Sequence, residues 1–349
     1  MAQLLYLVFS LCSLAAVGLV WSVFIQNNGL DTINQAISHG RYPDNEVGVT
    51  SFTGLRAIDD ALMSLVAFNL PILNVEFEVG RLFMAQFVAN VSIMIFILSV
   101  EGQRGRKRSP LIPMAWGLFS QLATSAVALP LYLLVQTGSN RKASRKPIFQ
   151  SLVSPHAALC ALPSHLLGFG VPAVMMFDPF RQGDHIKSLW VLMFALCPLN
   201  IAICTKTVGV TKRAFLPSSP KAATTTNAGY NALQLGYTTV GVVAAAFHAM
   251  TILQAIKHPG RFNGLFSLEL YPEMLRDKIM TFLKLDYLIT FAALLTWAYS
   301  EVLAIRRGGS LMLLGMFVFG TLVFGPGATT AIAWSARETG LHRGSGKSG

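Results

Sequence analysis

Uncharged apolar stretches of about 20 residues recur from one end of the chain to the other, the length a helix needs to cross about 30 Å of hydrocarbon. The first runs over residues 4–25, inside an opening stretch of thirty residues without a charged side chain. It is too long for a secretory h-region and lacks a positive n-region, so it reads as a retained span. A polar, slightly acidic stretch follows (Asp31, Asp44 and Glu46 against Arg41). Residues 54–75 make a less apolar candidate that contains Asp59, Asp60 and Pro71. Runs over 83–100, 111–136, 155–177, 188–204, 230–256, 280–305 and 311–335 bring the candidates to about nine. The pattern predicts an all-α, polytopic transmembrane bundle of about eight spans, between seven and nine. One integral membrane domain covers 1–349, with residues 337–349 as a polar C-terminal tail. Pro130, Pro172 and Pro198 fall inside spans, where neighbouring groups can recover the lost backbone bonds.

Composition agrees: 53% of the 349 residues are hydrophobic and 12% charged, against roughly a quarter charged in soluble domains. A soluble globule of this size is excluded. The net charge of +11 reflects Lys and Arg in short loops, as cytoplasmic loops and contacts to anionic lipid require, rather than nucleic-acid binding. Cys12, Cys160, Cys197 and Cys204 lie in apolar runs without metal or disulfide spacing. The sequon at Asn90 falls inside a span, out of reach of glycosylation. With the N-terminus in the cytoplasm, strict alternation puts Arg141, Lys142, Arg145 and Lys146 inside, with Lys206, Lys212, Arg213, Lys221, Arg306 and Arg307. The exception is Arg104, Arg106, Lys107 and Arg108, which fall outside against the positive-inside rule. Either one span is miscounted or these cations serve something local. Residues 205–229 read as a loop whose Ser/Thr/Pro/Ala-rich second half is a linker.

Charged side chains inside spans are costly unless they face a cavity or a partner, so each is a functional candidate. Under alternation, the start of an even-numbered span and the end of an odd-numbered one share a membrane face. Asp59, Glu101 and Asp286 then lie at one level, with His248 late in the seventh span and Arg104 just outside. A single acidic pocket near one interface is the functional reading. The alternative is a set of snorkelling or salt-bridged end residues, for example Asp286 with Lys284 or Asp59 with Arg56. Glu76, Glu78 and Glu301 belong to the opposite face as solvated interfacial charges. His156 and His165, nine apart, have no metal-pair spacing. No nucleophile elbow, zinc-protease helix, phosphate loop or dinucleotide glycine pattern occurs. Asp59-Asp60 lacks the third aspartate of the magnesium motif of soluble prenyl-diphosphate cyclases, which disfavours metal-triggered diphosphate loss. The five tryptophans and 23 phenylalanines are belt and packing residues, some able to line a cavity.

Residues 55–71, LRAIDDALMSLVAFNLP, resemble a segment of fungal membrane proteins of terpenoid and meroterpenoid biosynthesis, the ascofuranone-type membrane-bound terpene cyclases. Val100-Glu101-Gly102-Gln103-Arg104 is similar to that family's Glu-x-x-Arg signature, and Leu129-Pro130-Leu131-Tyr132 to its Pro-Leu-Tyr turn. Leu285-Asp286-Tyr287 with Trp297 resembles its penultimate span. The resemblance implies an enzyme that cyclises a prenyl chain, often carrying a terminal epoxide, on a polyketide or aromatic head. It works in the endoplasmic reticulum membrane without metal or cofactor. A desolvated carboxyl, Asp59 or Asp286, would be the general acid. Glu101, kept ionised by Arg104, would be the base or cation stabiliser, and aromatic faces would stabilise the migrating cation. Asp60, Arg104, His248 and Trp297 would line the substrate, a hydrophobic prenylated small molecule. The competing reading is a transporter or export component using the same carboxylates. The absence of a visible paired repeat of broken helices weighs against it. A scaffold that holds soluble pathway enzymes at the membrane is the third reading.

Overall fold

The computed structural model describes residues 2–39, 52–104, 111–143, 152–180, 183–215, 222–305 and 309–345. Arg106, Lys107, Arg108, Arg145, Lys146, Lys221, Arg306 and Arg307 lie outside the described residues. In chain order the main helices are α1 (Gln3–Gln26), α2 (Gly29–Ser38), α3 (Arg56–Asn69), α4 (Glu78–Glu101), α5 (Leu111–Ala123), α6 (Ser125–Ala143) and α7 (Pro155–Met175). They continue with α8 (Asp184–Ala195), α9 (Cys197–Phe215), α10 (Ala222–Lys257), α11 (Leu275–Ile305) and α12 (Ser310–Ser345). Among the described residues the only bridge is an isolated antiparallel one between Arg104 and Val153. The all-α architecture stands. Six helices are long and apolar enough to cross a membrane, α1, α4, α7, α10, α11 and α12, and α8 with α9, bent by 74°, adds a seventh.

Two of the nine sequence candidates fold otherwise. Residues 54–75 form only the 14-residue α3 and a 3-10 turn over Leu70–Leu73 with Pro71 at its start. At 1.5 Å per residue α3 is about 21 Å long, too short to cross. Residues 111–136 reverse at Thr124, whose φ is +78°. The Trp116 and Tyr132 rings meet at 5.9 Å, although in a straight helix they would stand about 24 Å apart. α5 and α6 are therefore the two legs of a re-entrant hairpin.

The last helix does the same. Gly325, at φ +85° and ψ +161°, breaks α12 in its middle. Tyr299 Oη donates to the carbonyl of Ser310 at 3.0 Å while Arg337 Nε donates to Glu301 at 2.7 Å. Both ends of α12 thus sit on neighbouring turns of α11, whereas a straight helix would hold residues 310 and 337 about 40 Å apart. Pro326 and Gly327 follow the reversal, where the chain must start a new helix. Residues 337–345, expected as a polar tail, continue the returning leg, and Arg337 and Glu338 are built into the protein interior.

These reversals fix which end each helix reaches. At one end the Arg261–Glu78 ion pair and the Arg81 bond to Phe177 O at 3.1 Å join the segments just past the ends of α10 and α7 to the first turn of α4. Asn27 Nδ2 donates to Leu270 O at 2.6 Å, placing the end of α1 beside the approach to α11. At the other end Arg104 meets Val153, and Tyr230 stacks on His342 at 4.4 Å. We call the latter the basic end. The described segment ends at Arg104, Phe215 and Ile305 lie there, as does the start of α1. Because α3 does not cross and α5–α6 turns back, Arg104 and the end of α6 lie on the same face as the start of α1.

The hairpins also reveal a paired arrangement that the sequence conceals. α1, α4 and hairpin α5–α6 form one unit; α10, α11 and hairpin α12 form another with the same directions. Each hairpin tip docks between the first helix of its own unit and the second helix of the other. Trp21 of α1 donates to Ala123 O at 3.1 Å, and Asp286 of α11 accepts from Ala126 N at 2.6 Å. In the other unit His248 of α10 meets Leu322 O at 3.2 Å, and Asn90 of α4 accepts from Gly327 N at 2.8 Å. The accepted N–H belongs in both cases to the second residue after the reversal.

Candidate active site

The three acids do not share a pocket. Asp59 is buried at the start of α3, where Oδ1 accepts from Phe52 N (3.0 Å), Thr53 N (2.7 Å) and Thr53 Oγ1 (2.9 Å), and Oδ2 from Gly54 N (3.0 Å). A carboxylate ringed by donors closes a turn in which Gly54 takes φ +76°. Asp60 points away, with a side chain 59% exposed and 4.0 Å from Arg56.

Glu101 belongs to a buried charge cluster at the basic end. Its Oε1 accepts from Arg104 Nε at 2.7 Å, Arg337 Nη1 at 3.1 Å and Trp334 Nε1 at 3.2 Å. Arg104 also pairs with Glu338, and Arg337 with Glu301 at 2.7 Å and Glu338 at 3.3 Å. Trp297 packs on Trp334 at 4.4 Å, and the Arg337 guanidinium lies 5.6 Å from the centre of the Trp334 ring. Glu301, expected as a solvated charge on the opposite face, is therefore part of the Glu101 cluster. The cluster ties the end of α4 and the late turns of α11 to the returning leg of α12. Glu338, Arg337 and Trp334 escaped the sequence reading because a terminal Arg-Glu pair looks like a solvated tail.

Asp286 stands fifteen residues before Glu301 on α11, about 22 Å along the axis. This separation overturns the expected common level: only a hairpin and three true crossings stand between Glu101 and Asp286, so alternation puts them at opposite ends. Asp286 is 4% exposed. Ala126 N, at the first turn of α6, donates to Oδ1 at 2.6 Å, and Thr290 Oγ1 does so at 3.3 Å. One turn back on the same face, at i−4, Phe282 makes edge-on contacts with Trp21, Phe24 and Phe68 at 5.4, 4.9 and 5.1 Å. Trp21 reaches the same hairpin tip through its bond to Ala123 O. A carboxyl, a hairpin tip and four aromatic rings thus converge. Phe68 brings the 55–71 segment to this place although its aspartates do not come. The i−4 spacing of Phe282 was the available sequence signal.

His248 lies at the second tip, 3.1 Å from Gln86 Nε2 and packed against Gly325. Trp297 and Arg104 accompany Glu101, so of the expected lining residues none contacts Asp286 directly. A groove of about 230 Å³ runs between the legs of α12 and α11, lined by Val302, Leu313, Phe317, Gly320, Thr329 and Ala333 among others. It touches none of the acids.

A model of the CtvD domain matches residues 4–341. The chain belongs to the CtvD-domain family. A terpene cyclase of Aspergillus nomiae is 35% identical, covering 100% of this chain and 98% of the relative. One from Aspergillus sclerotiorum is 34% identical over 94% and 93%, and one from Pyrenophora dematioidea 30% identical over 94% and 93%. No solved structure matches. The resemblance drawn from the four short motifs is therefore the right one, and membership of this family supports a terpene cyclase role for the chain.

Proposed function

We propose that this CtvD-domain protein is a membrane-embedded terpene cyclase whose proton donor is Asp286. The observation that carries this reading is a buried carboxyl whose hydrogen-bond partners are all neutral, one helical turn from the Trp21, Phe24, Phe68 and Phe282 rings. A buried carboxyl without a cation favours its neutral, proton-bearing form. Ala126 N and Thr290 Oγ1 both donate to Oδ1, and the Thr124 hydroxyl is a further neutral neighbour. Asp59 serves a turn, and Glu101 faces two guanidinium groups, so neither is placed to donate.

The substrate is a prenyl chain, epoxidised or olefinic, presented from the bilayer. With an epoxide, the oxirane oxygen takes the Asp286 proton and keeps the breaking C–O electron pair as a hydroxyl. The carbon left deficient accepts the electron pair of a neighbouring alkene or oxygen. A later proton loss returns neutrality, so substrate and product are isomers and no oxidant or reductant is consumed. Aromatic faces contribute about 0.5–2 kcal/mol each to a nearby cation, and the burial of Asp286 limits the water that could quench it. The endoplasmic reticulum, cofactor independence and an isomerase-type reaction belong to this same reading.

The test is heterologous expression with an epoxidised prenyl precursor and product analysis at matched protein levels. Asp286→Asn preserves shape and the Oδ1 acceptor and is expected to lose 10²–10⁴-fold in product formation, the usual contribution of a general acid. Asp59→Asn and Glu101→Gln are expected to lower protein yield more than turnover per molecule. Full turnover in Asp286→Asn refutes the assignment. The paired re-entrant hairpins by themselves also suit a transporter; uptake of unaltered precursor with no product would establish that reading instead.

A further inference from the structure

A prenylated substrate arrives dissolved in the bilayer, yet the place where it would react is shut. Asp286, Phe282 and Phe24 are 4%, 5% and 3% exposed, too little for an isoprenoid chain to reach the carboxyl. Reaction at Asp286 therefore needs a surrounding element to give way. Four pieces wall the site: α1 through Trp21 and Phe24, α3 through Phe68, the tip of hairpin α5–α6 through Ala126, and α11 itself. α3 is pinned at its start by the donors around Asp59. α11 carries the carboxyl and is tied by Lys284 to the carbonyls of Gly264 and Ser267. The hairpin tip is bonded to Asp286. α1 differs. It is the least enclosed of the six spanning helices, with 22% of its apolar stretch buried against 83% for α4. Its hydrogen-bond ladder widens into a π turn over Ala16–Trp21, one of two such turns among the described residues. π turns are rare, allow a helix to kink and recur at functional positions. In this one Ala16 and Val20 are fully buried, whereas Val17, Gly18 and Leu19 are exposed. The turn ends on Trp21, whose half-buried indole donates to Ala123 O at 3.1 Å and stands edge-on to Phe282 at 5.4 Å. Just beyond it, Asn27 anchors the end of α1 to Leu270 O at 2.6 Å. The π turn thus joins an anchored end to a leg that faces lipid, and the Trp21 indole fastens the junction to the hairpin tip.

We propose that the seam between α1 and hairpin α5–α6 is the portal through which a prenyl chain enters from the bilayer, with Trp21 as its latch. The proposal rests on the reading that places the reaction at Asp286. Release of the bond to Ala123 O lets the leg of α1 pivot at the π turn and carries the indole off Phe282. The opened seam faces acyl chains rather than water, so an isoprenoid chain passes along it without giving up a hydrogen bond. Return of the indole to Ala123 O restores the burial of Asp286 around the substrate. The second tip is held in the corresponding place by His248 of α10, which runs as an uninterrupted α-helix over Ala222–Lys257. That tip has the dock without the hinge.

Entry is tested apart from chemistry by the rate at which a diazirine-bearing prenyl epoxide, mixed with nanodiscs that hold the full chain and flash-irradiated, labels α11. In an Asp286→Asn background, Trp21→Phe keeps a ring beside Phe282 and removes the N–H. The labelling rate is expected to rise about 2- to 12-fold, the shift in open population that one hydrogen bond supplies. Trp21→Cys with Ala123→Cys, in the same background lacking the four native cysteines, is then bridged by a membrane-permeant bis-thiosulfonate reagent. Bridging is expected to slow labelling more than about tenfold, because the bridged form cannot populate the open state, and reduction of the bridge to restore it. Equal rates in the bridged and reduced forms overturn the portal. An unchanged rate in Trp21→Phe overturns Trp21 as the latch, even where the double cysteine variant fails to fold. Full turnover by Asp286→Asn alone overturns the acid assignment, and slowed labelling on bridging then leaves the portal standing without it.

Discussion

Arg104→Met probes whether the charge cluster at the basic end works as a unit. Three carboxylates, Glu101, Glu301 and Glu338, surround two guanidinium groups, Arg104 and Arg337. The side chains of Arg104, Glu101 and Glu338 are 5%, 3% and 3% exposed. Removing Arg104 leaves three acids to one cation, with Glu101 and Glu338 buried, and breaking a buried pair from one side costs about 3–5 kcal/mol. Glu301→Gln acts in the opposite sense. Its side chain is 25% exposed, the loss leaves two acids to two cations, and the expected cost is below about 1 kcal/mol. The readout is equilibrium unfolding in mixed micelles, because heating a membrane protein reports an irreversible rate. At 1.4 kcal/mol per factor of ten, Arg104→Met should raise the unfolded fraction at least about 100-fold and Glu301→Gln less than about tenfold. Adding Glu338→Gln to Arg104→Met should recover part of the loss, about 0.5–3 kcal/mol of coupling. Equal effects of Arg104→Met and Glu301→Gln, or strict additivity of the double variant, would refute the network.

Two further predictions address the re-entrant topology. In a variant lacking the four native cysteines, single cysteines at Gln103 and Ser154 should react with an impermeant thiol reagent from the same side of sealed vesicles, and one at Ser267 from the other side. Labelling of Gln103 and Ser154 from opposite sides would restore α5–α6 as a crossing. Gly325→Ala should destabilise the protein by about 1–3 kcal/mol, because φ is +85° and an added Cβ would stand 2.8 Å from the His248 ring. An unchanged unfolding midpoint would mean that α12 does not reverse there.

What the sequence could carry and what it could not follow from one physical fact: hydropathy counts apolar residues and is blind to direction. A leg of 13 residues followed by one of 19 has the composition of a single crossing when the reversal falls between Ala123 and Ser125. Nothing in Thr124 announces a turn, since threonine is disfavoured at positive φ; Gly325-Pro326-Gly327 does carry turn chemistry, but a glycine and a proline inside a membrane helix are tolerated so often that they do not decide the matter. The family was readable because its motifs are local strings, and membrane character was readable because it is a sum. The joint site was misread because it depended on parity, a quantity that a single unrecognised reversal inverts for every residue beyond it. The same miscount put Arg104 on the face opposite the end of α6, whereas the fold brings both to one face. A violated charge rule beside a long apolar run is thus the sequence-level sign of a hairpin that enters and leaves by one face. Given priority over the span count, that sign separates Asp286 from Glu101 and makes Phe282, one turn away, the natural neighbour of Asp286.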